Sequence, residues 1–252
     1  MTPAAACVIP AYEAAATVGA VIDGVRRAAP SVLIVVVDDG SRDDTSRAAA
    51  HADVVERLAV NGGKGAALRA GFAAALDRGV ERVVTLDADG QHDASLVPAF
   101  LAALDTHDLV LGVRARRGSA MPLVRRIANG ISTRLIGWCA RRPIRDAQCG
   151  FRGMRAALLR AVPHVGDRYE AETAFVIRAA RAGARIGEVR VPTRYGPPSH
   201  FRPLPDAARI VATIWALRPS RLLPCDSSAP TTTASSPTAS TAWSAPRSRS
   251  VR

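Results

Sequence analysis

Two aspartates one residue apart, Asp87 and Asp89, follow an apolar run in the stretch RVVTLDADGQHD, residues 82–93. The apolar run predicts a short buried strand, and ligands of parallel sheets bind at the carboxyl ends of such strands. Both carboxylates could converge on one cation where the strand ends before Gly90. Oxygen ligands of this kind suit Mg²⁺ or Mn²⁺, particularly when a diphosphate supplies the remaining oxygens. The alternative interpretation is a solvated turn rich in Asp and Gly.

A glycine-rich loop around Lys64, NGGKGAALRAGF, opens onto an alanine-rich helix. The free amide groups at such a helix start could face an anion. The stretch is not a P-loop, because Gly65 stands where that motif needs Ser or Thr after the lysine. An anion site and a plain loop before a helix both remain open for this stretch.

Strands and helices alternate along the first half of the chain at α/β lengths. A second strand, residues 32–37, is also followed by carboxylates, in DDGSRDDT. This alternation predicts an open, mostly parallel sheet with helices on both faces, a Rossmann-like fold with a nucleotide-type site at one edge. The predicted strands are 4–10, 32–37, 53–60, 82–86 and 108–113, and the predicted helices between them begin near 17, 41, 64 and 95.

The second half is less regular and rich in arginine. Residues 123–138 predict an amphipathic helix flanked by arginines, which could lie at a membrane interface or face the core. Residues 146–155 predict a turn, 169–183 a helix, 189–203 an extended connection and 206–217 a last helix. We predict a catalytic domain over 1–218 and a disordered tail over 219–252, because 24 of the last 34 residues are Ser, Thr, Pro or Ala.

Composition narrows the classes of partner. The net charge is +12, and all but one of the 34 basic residues are arginine. Such charge suits nucleic acid, anionic lipid or phosphorylated substrates, but an aromatic content of 4% disfavours recognition by base stacking. No apolar run reaches the roughly 20 residues of a membrane span. The four scattered cysteines indicate free thiols, so we expect a cytoplasmic protein, either soluble or peripheral on the inner face of a membrane.

Taken together, the stretches CVIPAYEAAATV, VVVDDGSRDDT, NGGKGAALRAGF, TLDADGQHD and QCGFRGMR followed by YEAETAF resemble the family 2 glycosyltransferases. These enzymes have the nucleotide-sugar-binding fold called GT-A. The stretches GVRARR, GFRGMR and YGPPSHFRP are similar to the branch that glycosylates polyprenyl phosphates, such as dolichyl-phosphate mannose synthase. The resemblance covers roughly residues 6–215.

The resemblance implies a role for each matching residue. The nucleoside-diphosphate sugar would be bound by Pro10, Tyr12, Glu13, Asp39, Lys64, Asp87 and Gln91, and Mg²⁺ or Mn²⁺ by Asp87, Asp89 and Gln91, with Asp89 the more direct ligand. The family usually has Asn then Glu after the tyrosine, whereas this chain has Glu13 then Ala14. That departure puts the usual nucleoside contact in doubt.

The resemblance also implies direct attack with inversion at the anomeric carbon. A lipid phosphate acceptor is already anionic and needs positive charge rather than a base, for which we expect Arg114, Arg126 and Arg152. A sugar hydroxyl, as in cell-envelope polysaccharide synthesis, would instead need a carboxylate base. The candidates for that base are Asp146, Glu170 and Glu172.

Three other classes compete with this interpretation. A haloacid-dehalogenase phosphatase also has D-x-D after an apolar strand, but it needs a downstream lysine and none follows Lys64. A nucleic-acid binder would explain the charge but not the acidic strand ends, so we expect no nucleic-acid partner. A family member that binds a nucleotide sugar without transferring it remains open.

Overall fold

The computed structural model describes residues 3–114, 123–192 and 203–218, with the backbone alone for helical residues 123–129, 131 and 203–207. Within these ranges seven strands form one sheet. The strands are β1 Ala5–Ala11, β2 Leu33–Asp38, β3 Val54–Arg57, β4 Arg82–Thr85, β5 Leu109–Arg114, β6 Arg152–Arg155 and β7 Ile186–Val191. Their order is β3-β2-β1-β4-β6-β5-β7, and every neighbouring pair is parallel except the two that involve β6.

Helices connect the strands and cover the sheet. They are α1 Val18–Ala28, α2 Thr45–Ala48, α3 Lys64–Asp77, α4 Val97–Ala103, α5 Leu123–Ala140, α6 Ala156–Ala161, α7 Glu170–Arg181 and α8 Pro203–Ala216, with a short 3₁₀ turn at Ala94–Leu96. In the part of the chain that is described, no helix is long and apolar enough to cross a bilayer.

The sheet separates two hydrophobic cores. Alternate residues of β1 point to opposite faces, so Ala6 and Val8 enter one core and Cys7 and Ile9 the other. The first core also holds buried residues of α3, α5, α7 and α8, and the second holds those of α1 and α4. Helices therefore cover both faces of a mostly parallel sheet, which confirms the predicted fold class.

Strand β6 corrects one prediction. The sequence predicts a turn over residues 146–155, but Arg152–Arg155 is a strand that runs antiparallel between β4 and β5. It is only four residues long, and Gly153 packs against Leu104 and Val110 from distant parts of the chain. The two strands that pair with β6, β4 and β5, lie far from it in sequence. The local sequence therefore gives no indication of this strand.

One boundary also differs from the predicted one. The stretch predicted as an extended connection from residue 189 begins inside β7, which is parallel to β5. Residues 193–202 of that stretch lie outside the described residues, and so does the predicted tail, 219–252. Met1–Arg218 forms one compact unit.

Candidate active site

The predicted edge of the sheet carries a pocket of about 680 Å³. The loops after β1, β2 and β4 meet there because these three strands are parallel neighbours and their carboxyl ends lie side by side. The start of α3 and the loop before α7 complete the wall. The predicted site residues that line the pocket are Pro10, Tyr12, Glu13, Asp39, Lys64, Asp87 and Asp89.

Lys64 forms the electrostatic centre of this wall. Its Nζ lies 2.7 Å from Asp87 Oδ1 and 3.0 Å from Glu172 Oε2, and its side chain is 15% exposed. Burial alone would lower the pKa of Lys64, but the attraction of the two carboxylates outweighs it and raises the pKa. Burial likewise opposes ionisation of Asp87, and the Lys64 ammonium nevertheless lowers the pKa of that carboxyl. Lys64 is therefore charged, and Asp87 is an ionised carboxylate that already has a cationic partner.

Asp89 is the second carboxylate of the pair and has a different environment. Its Oδ1 accepts a hydrogen bond of 2.9 Å from the Gln91 amide, and among the described residues no basic side chain lies within ion-pair distance of it. Burial and the neighbouring charge of Asp87 raise the pKa of Asp89. A half-buried carboxylate that faces a second carboxylate is stabilised by a cation.

The donor set tests whether a divalent cation fits. Within residues 3–114, 123–192 and 203–218, no group of three or more His, Cys, Asp and Glu side chains could hold a metal by itself. Mg²⁺ commonly binds one or two carboxylates and takes its other ligands from substrate phosphates and water. Asp89 with Asp87 fits that pattern, provided that a diphosphate enters the pocket. Gln91 contributes its backbone amide to Asp89, and its side chain does not line the pocket.

Asp39 is another carboxylate of the pocket wall. Its two carboxylate oxygens accept the amides of Gly62 and Gly63 at 2.7 and 2.8 Å. Burial raises the pKa of Asp39 in spite of these hydrogen bonds. Gly63 has φ 93°, and a Cβ there would lie 2.6 Å from the Asp167 carbonyl oxygen, so this position requires glycine. Asp39 therefore orders the glycine-rich loop as well as facing the pocket.

Glu13 and Ala14, the two residues after Tyr12 that differ from the usual family sequence, both hold the loop in place. Glu13 adopts φ 49°, and its Oε1 accepts a hydrogen bond of 2.8 Å from the Arg42 amide. Ala14 also lines the pocket, and its amide donates to Thr45 Oγ1 at 2.8 Å. The loop is therefore held by polar contacts to the segment after β2, and Ala14 offers no side-chain donor or acceptor to a nucleoside.

The pocket wall also contains residues that sequence reasoning did not assign to the site, among them Asn61, Arg168 and Tyr169. The last two belong to the loop before α7, which packs on the glycine-rich loop through the Ala66 amide and the Asp167 carbonyl, 3.1 Å apart. Arg69 also binds this loop, donating to the carbonyl of Gly166 and the carboxylate of Asp167. The sequence signal is the YEAETAF stretch, whose first residue faces the pocket rather than only starting a helix.

Arg114 and Asp146 form a second charged pair, outside the pocket wall. Arg114 Nε and Nη2 donate to the two carboxylate oxygens of Asp146 at 2.7 and 3.0 Å. Burial opposes ionisation of Asp146, but Arg114 lowers the pKa of this carboxyl. Asp146 thus orients Arg114 and is a weak base. Arg126 belongs to α5, and its side chain lies outside the described residues.

The structure places Arg152 where it cannot seat an acceptor. Its guanidinium is 3% exposed and donates to the carbonyl oxygens of Cys149, Ala147 and Glu172 at 2.8–2.9 Å. It also lies 3.5 Å from the Glu172 carboxylate. The predicted contact of Arg152 with the acceptor phosphate is therefore replaced by a buried structural role. Glu172, predicted as a candidate base, is likewise buried between Lys64 and Arg152.

Gly150 connects strand β6 to the aspartate pair. Because β6 is antiparallel, its first residue pairs with Thr85 at the carboxyl end of β4, and Gly150 comes next to Asp87. Thr85 Oγ1 donates to the Gly150 carbonyl oxygen at 2.8 Å. A Cβ on Gly150 would lie 2.3 Å from Asp87 Oδ2 and 2.7 Å from Lys64 Nζ. The absence of a side chain at Gly150 is thus a condition for the Lys64–Asp87 pair.

Comparison with known proteins places this geometry in context. The sequence pattern of "Glycosyl transferase family 2" matches residues 6–162. An undecaprenyl-phosphate mannosyltransferase of Micrococcus luteus is 32% identical over 203 residues, covering 73% of this chain and 81% of that protein. A polyprenol monophosphomannose synthase of Mycolicibacterium smegmatis is 33% identical over 171 residues, covering 62% and 63%. The crystal structure of glucosyl-3-phosphoglycerate synthase from Mycobacterium tuberculosis with Mg²⁺ and UDP superposes with a TM-score of 0.67 at 25% identity, covering 87% and 81%.

Proposed function

The chain belongs to glycosyl transferase family 2 and is a glycosyltransferase, and we propose that it transfers a hexose from a nucleoside-diphosphate sugar to a polyprenyl phosphate. The observation that carries the proposal is the pocket in which Asp89, a carboxylate poised for a cation, lies beside the Lys64–Asp87 pair. Two of the similar proteins, the undecaprenyl-phosphate mannosyltransferase and the polyprenol monophosphomannose synthase, are named for a hexose and a polyprenyl phosphate, which supports this donor and acceptor class.

The proposed donor spans the pocket. The nucleoside lies near Pro10, Tyr12 and Asp39, and the diphosphate lies toward Asp89. Asp89 with Asp87 would hold Mg²⁺ or Mn²⁺, and the bound ion would supply positive charge that stabilises the departing diphosphate. The Lys64 ammonium keeps Asp87 ionised and contacts its Oδ1, so that Oδ2 of this carboxylate remains available as an oxygen ligand beside Asp89.

The candidate carboxylate bases are all engaged by other groups of the protein, which favours an anionic acceptor over a hydroxyl acceptor. An attacking hydroxyl needs a base, yet Asp146 is bound by Arg114 and Glu172 by Lys64 and Arg152. The third candidate, Glu170, accepts the amides of Asp167 and Arg168 and does not line the pocket. A phosphate oxygen of the acceptor can attack the anomeric carbon directly while the bond from that carbon to the diphosphate breaks. In this proposal Arg114, oriented by Asp146, seats the acceptor phosphate. Such an acceptor places the protein on the inner face of a membrane as a peripheral enzyme.

Thermal unfolding with a panel of nucleoside diphosphates, with and without Mn²⁺ or Mg²⁺, tests the donor site. A ligand at about 100 times its dissociation constant adds about 2.7 kcal/mol of stability, which raises the unfolding midpoint by a few degrees. We expect one diphosphate to do so only with the metal, and Asp89→Asn to abolish the shift.

Asp93→Asn is the matched control, because Asp93 caps the following turn through the Ser95 amide, 2.9 Å away. It removes the same charge four residues along the chain and should keep the shift. Failure of every diphosphate to stabilise the protein, or equal shifts in the wild type and Asp89→Asn, would contradict the proposed donor site.

A further inference from the structure

Two neighbouring helices of the catalytic unit expose large apolar side chains to solvent. The exposed fractions are 42% and 57% on α5 and 61% and 67% on α8, for Leu135, Trp138, Val211 and Trp215 respectively. The two helices are in contact, since Cys139 Sγ lies 3.5 Å from the carbonyl oxygen of Ile214. Trp138 precedes Cys139 in the sequence, and Trp215 follows Ile214. We call these four side chains the tryptophan face.

The tryptophan face is additional to the hydrophobic core. Both helices already bury another set of side chains against the sheet, including Ile136 and Cys139 on α5 and Ile210 and Ile214 on α8. The exposed set is therefore not needed to attach either helix. On each helix the two exposed side chains lie about one turn apart. Water-soluble surfaces rarely keep adjacent large apolar groups unless these meet a partner or a membrane.

Positive charge accompanies the tryptophan face. Helix α5 contains three arginines and no acidic residue. The guanidinium of Arg218 lies 4.3 Å from the ring centroid of Trp215. Arg134 of α5 is exposed, and so are Arg141, which follows α5, and Arg209 of α8. Tryptophan prefers the interface between water and lipid, and arginines beside it are attracted to anionic headgroups.

The tryptophan face also adjoins the loop that orients Arg114. Ser132 lies one helical turn before Leu135, and its Oγ accepts a hydrogen bond of 3.2 Å from Gln148 Nε2. The Gln148 amide donates in turn to the Asp146 carboxylate at 3.1 Å, and Asp146 holds Arg114. A surface bound by the face would therefore lie beside the residue proposed to seat the acceptor.

We propose that the tryptophan face docks the protein on an anionic membrane surface, with the indoles at the headgroup level and the arginines against lipid phosphates. This inference rests on the proposed function, because docking would bring Arg114 to the membrane that contains the acceptor. The chemistry is that of a peripheral, interfacial contact in which apolar burial and charge attraction add.

Tryptophan fluorescence can report on the proposed face directly. The chain has three tryptophans, and replacing the one in the tail by Trp243→Phe leaves Trp138 and Trp215 as reporters. Vesicles of phosphatidylcholine with phosphatidylglycerol, free of polyprenyl phosphate, should shift the emission to the blue and carry the protein in a flotation gradient. Pure phosphatidylcholine vesicles should do so much more weakly.

Variants then locate the contact. Trp138→Ala and Trp215→Ala should each weaken vesicle binding roughly tenfold, which corresponds to losing about 60 Å² of buried apolar surface. Val55→Ala is the matched control, since Val55 is an exposed apolar residue on the edge strand β3. It should bind vesicles as the parent protein does.

Three outcomes would overturn the inference. The first is unchanged fluorescence and no flotation with anionic vesicles. The second is equal binding to neutral vesicles, which would remove the role of the arginines. The third is a dimer in sedimentation whose emission is already shifted to the blue without lipid, which would make a second copy of the chain the occupant. These vesicles contain no acceptor and the assay needs no donor, so failure of the transferase proposal would leave this result standing.

Discussion

Replacing Gly150 by alanine should damage the site while leaving every charged residue in place. The new Cβ would lie 2.3 Å from Asp87 Oδ2, whereas real Cβ contacts essentially never fall below 3.0 Å. The difference, 3.0 minus 2.3, requires a displacement of at least 0.7 Å. Lys64 Nζ lies 2.7 Å from the same Cβ position, so the new methyl group cannot relieve the clash by moving toward Lys64.

The size of the effect follows from this displacement. Overpacking of a buried site typically costs about 1–3 kcal/mol of stability. A misplacement of about 1 Å in a catalytic group can cost about 10²-fold in rate. We therefore expect Gly150→Ala to lose about two orders of magnitude in transfer efficiency, together with a smaller loss of stability.

The assay combines sugar transfer, measured as kcat/KM, with urea unfolding. Gly130→Ala is the control, because a Cβ at that position in α5 meets no atom of the described residues within 4 Å. An alanine in a helix interior is favoured over glycine by about 1 kcal/mol, so this variant should be active and at least as stable as the parent. Transfer by Gly150→Ala at the parental rate would refute the proposed packing of Gly150 against the Lys64–Asp87 pair.

Three further predictions concern charge. Arg114→Lys should raise the KM for the acceptor, because lysine cannot reproduce the two-pronged contact with Asp146, while stabilisation by the nucleotide stays unchanged in thermal unfolding. Burial lowers the pKa of His164 to about 4. The free energy of unfolding should therefore decrease as pH falls from about 6.5 to 4, by up to about 3 kcal/mol. Urea unfolding at several pH values should show this decrease in the parent protein and not in His164→Phe. Hydrogen bonds from Arg185 lower the pKa of Asp108 to about 2, so Asp108→Asn should cost stability above pH 4, and its difference from the parent should vanish as pH falls toward 2.

The parts of the fold that have a local signature could be predicted from the sequence. The β-branched run of β2 and the apolar run of β4 end in carboxylates, and both strands lie in the parallel sheet with those ends at the pocket. The strand-end pattern alone therefore indicates Asp87 and Asp89, whereas the family resemblance was needed to single out Asp39 among the carboxylates that follow β2. All three line the pocket. Lys64 stands out as the chain's one lysine, and it lies in the pocket wall.

The parts that sequence could not predict depend on distant contacts. Strand β6 pairs only with strands far along the chain, so its four residues resemble a turn. Arg152 is one of many arginines in the sequence, and only its burial against three carbonyl groups distinguishes it from a surface arginine. Arg168 enters the pocket because the loop before α7 packs on the glycine-rich loop, a contact across about a hundred residues of sequence.

The most direct test of the central claim is a transfer assay with purified protein, Mn²⁺ or Mg²⁺, a panel of nucleoside-diphosphate hexoses and a short polyprenyl phosphate, with the product identified by mass. We predict a polyprenyl phosphate that carries one hexose and release of the nucleoside diphosphate. The neutral polyprenol should give no product, and Asp89→Asn should give far less. Hexose transfer to the neutral polyprenol, or no transfer from any donor by protein that binds a nucleoside diphosphate with metal, would contradict the proposed reaction.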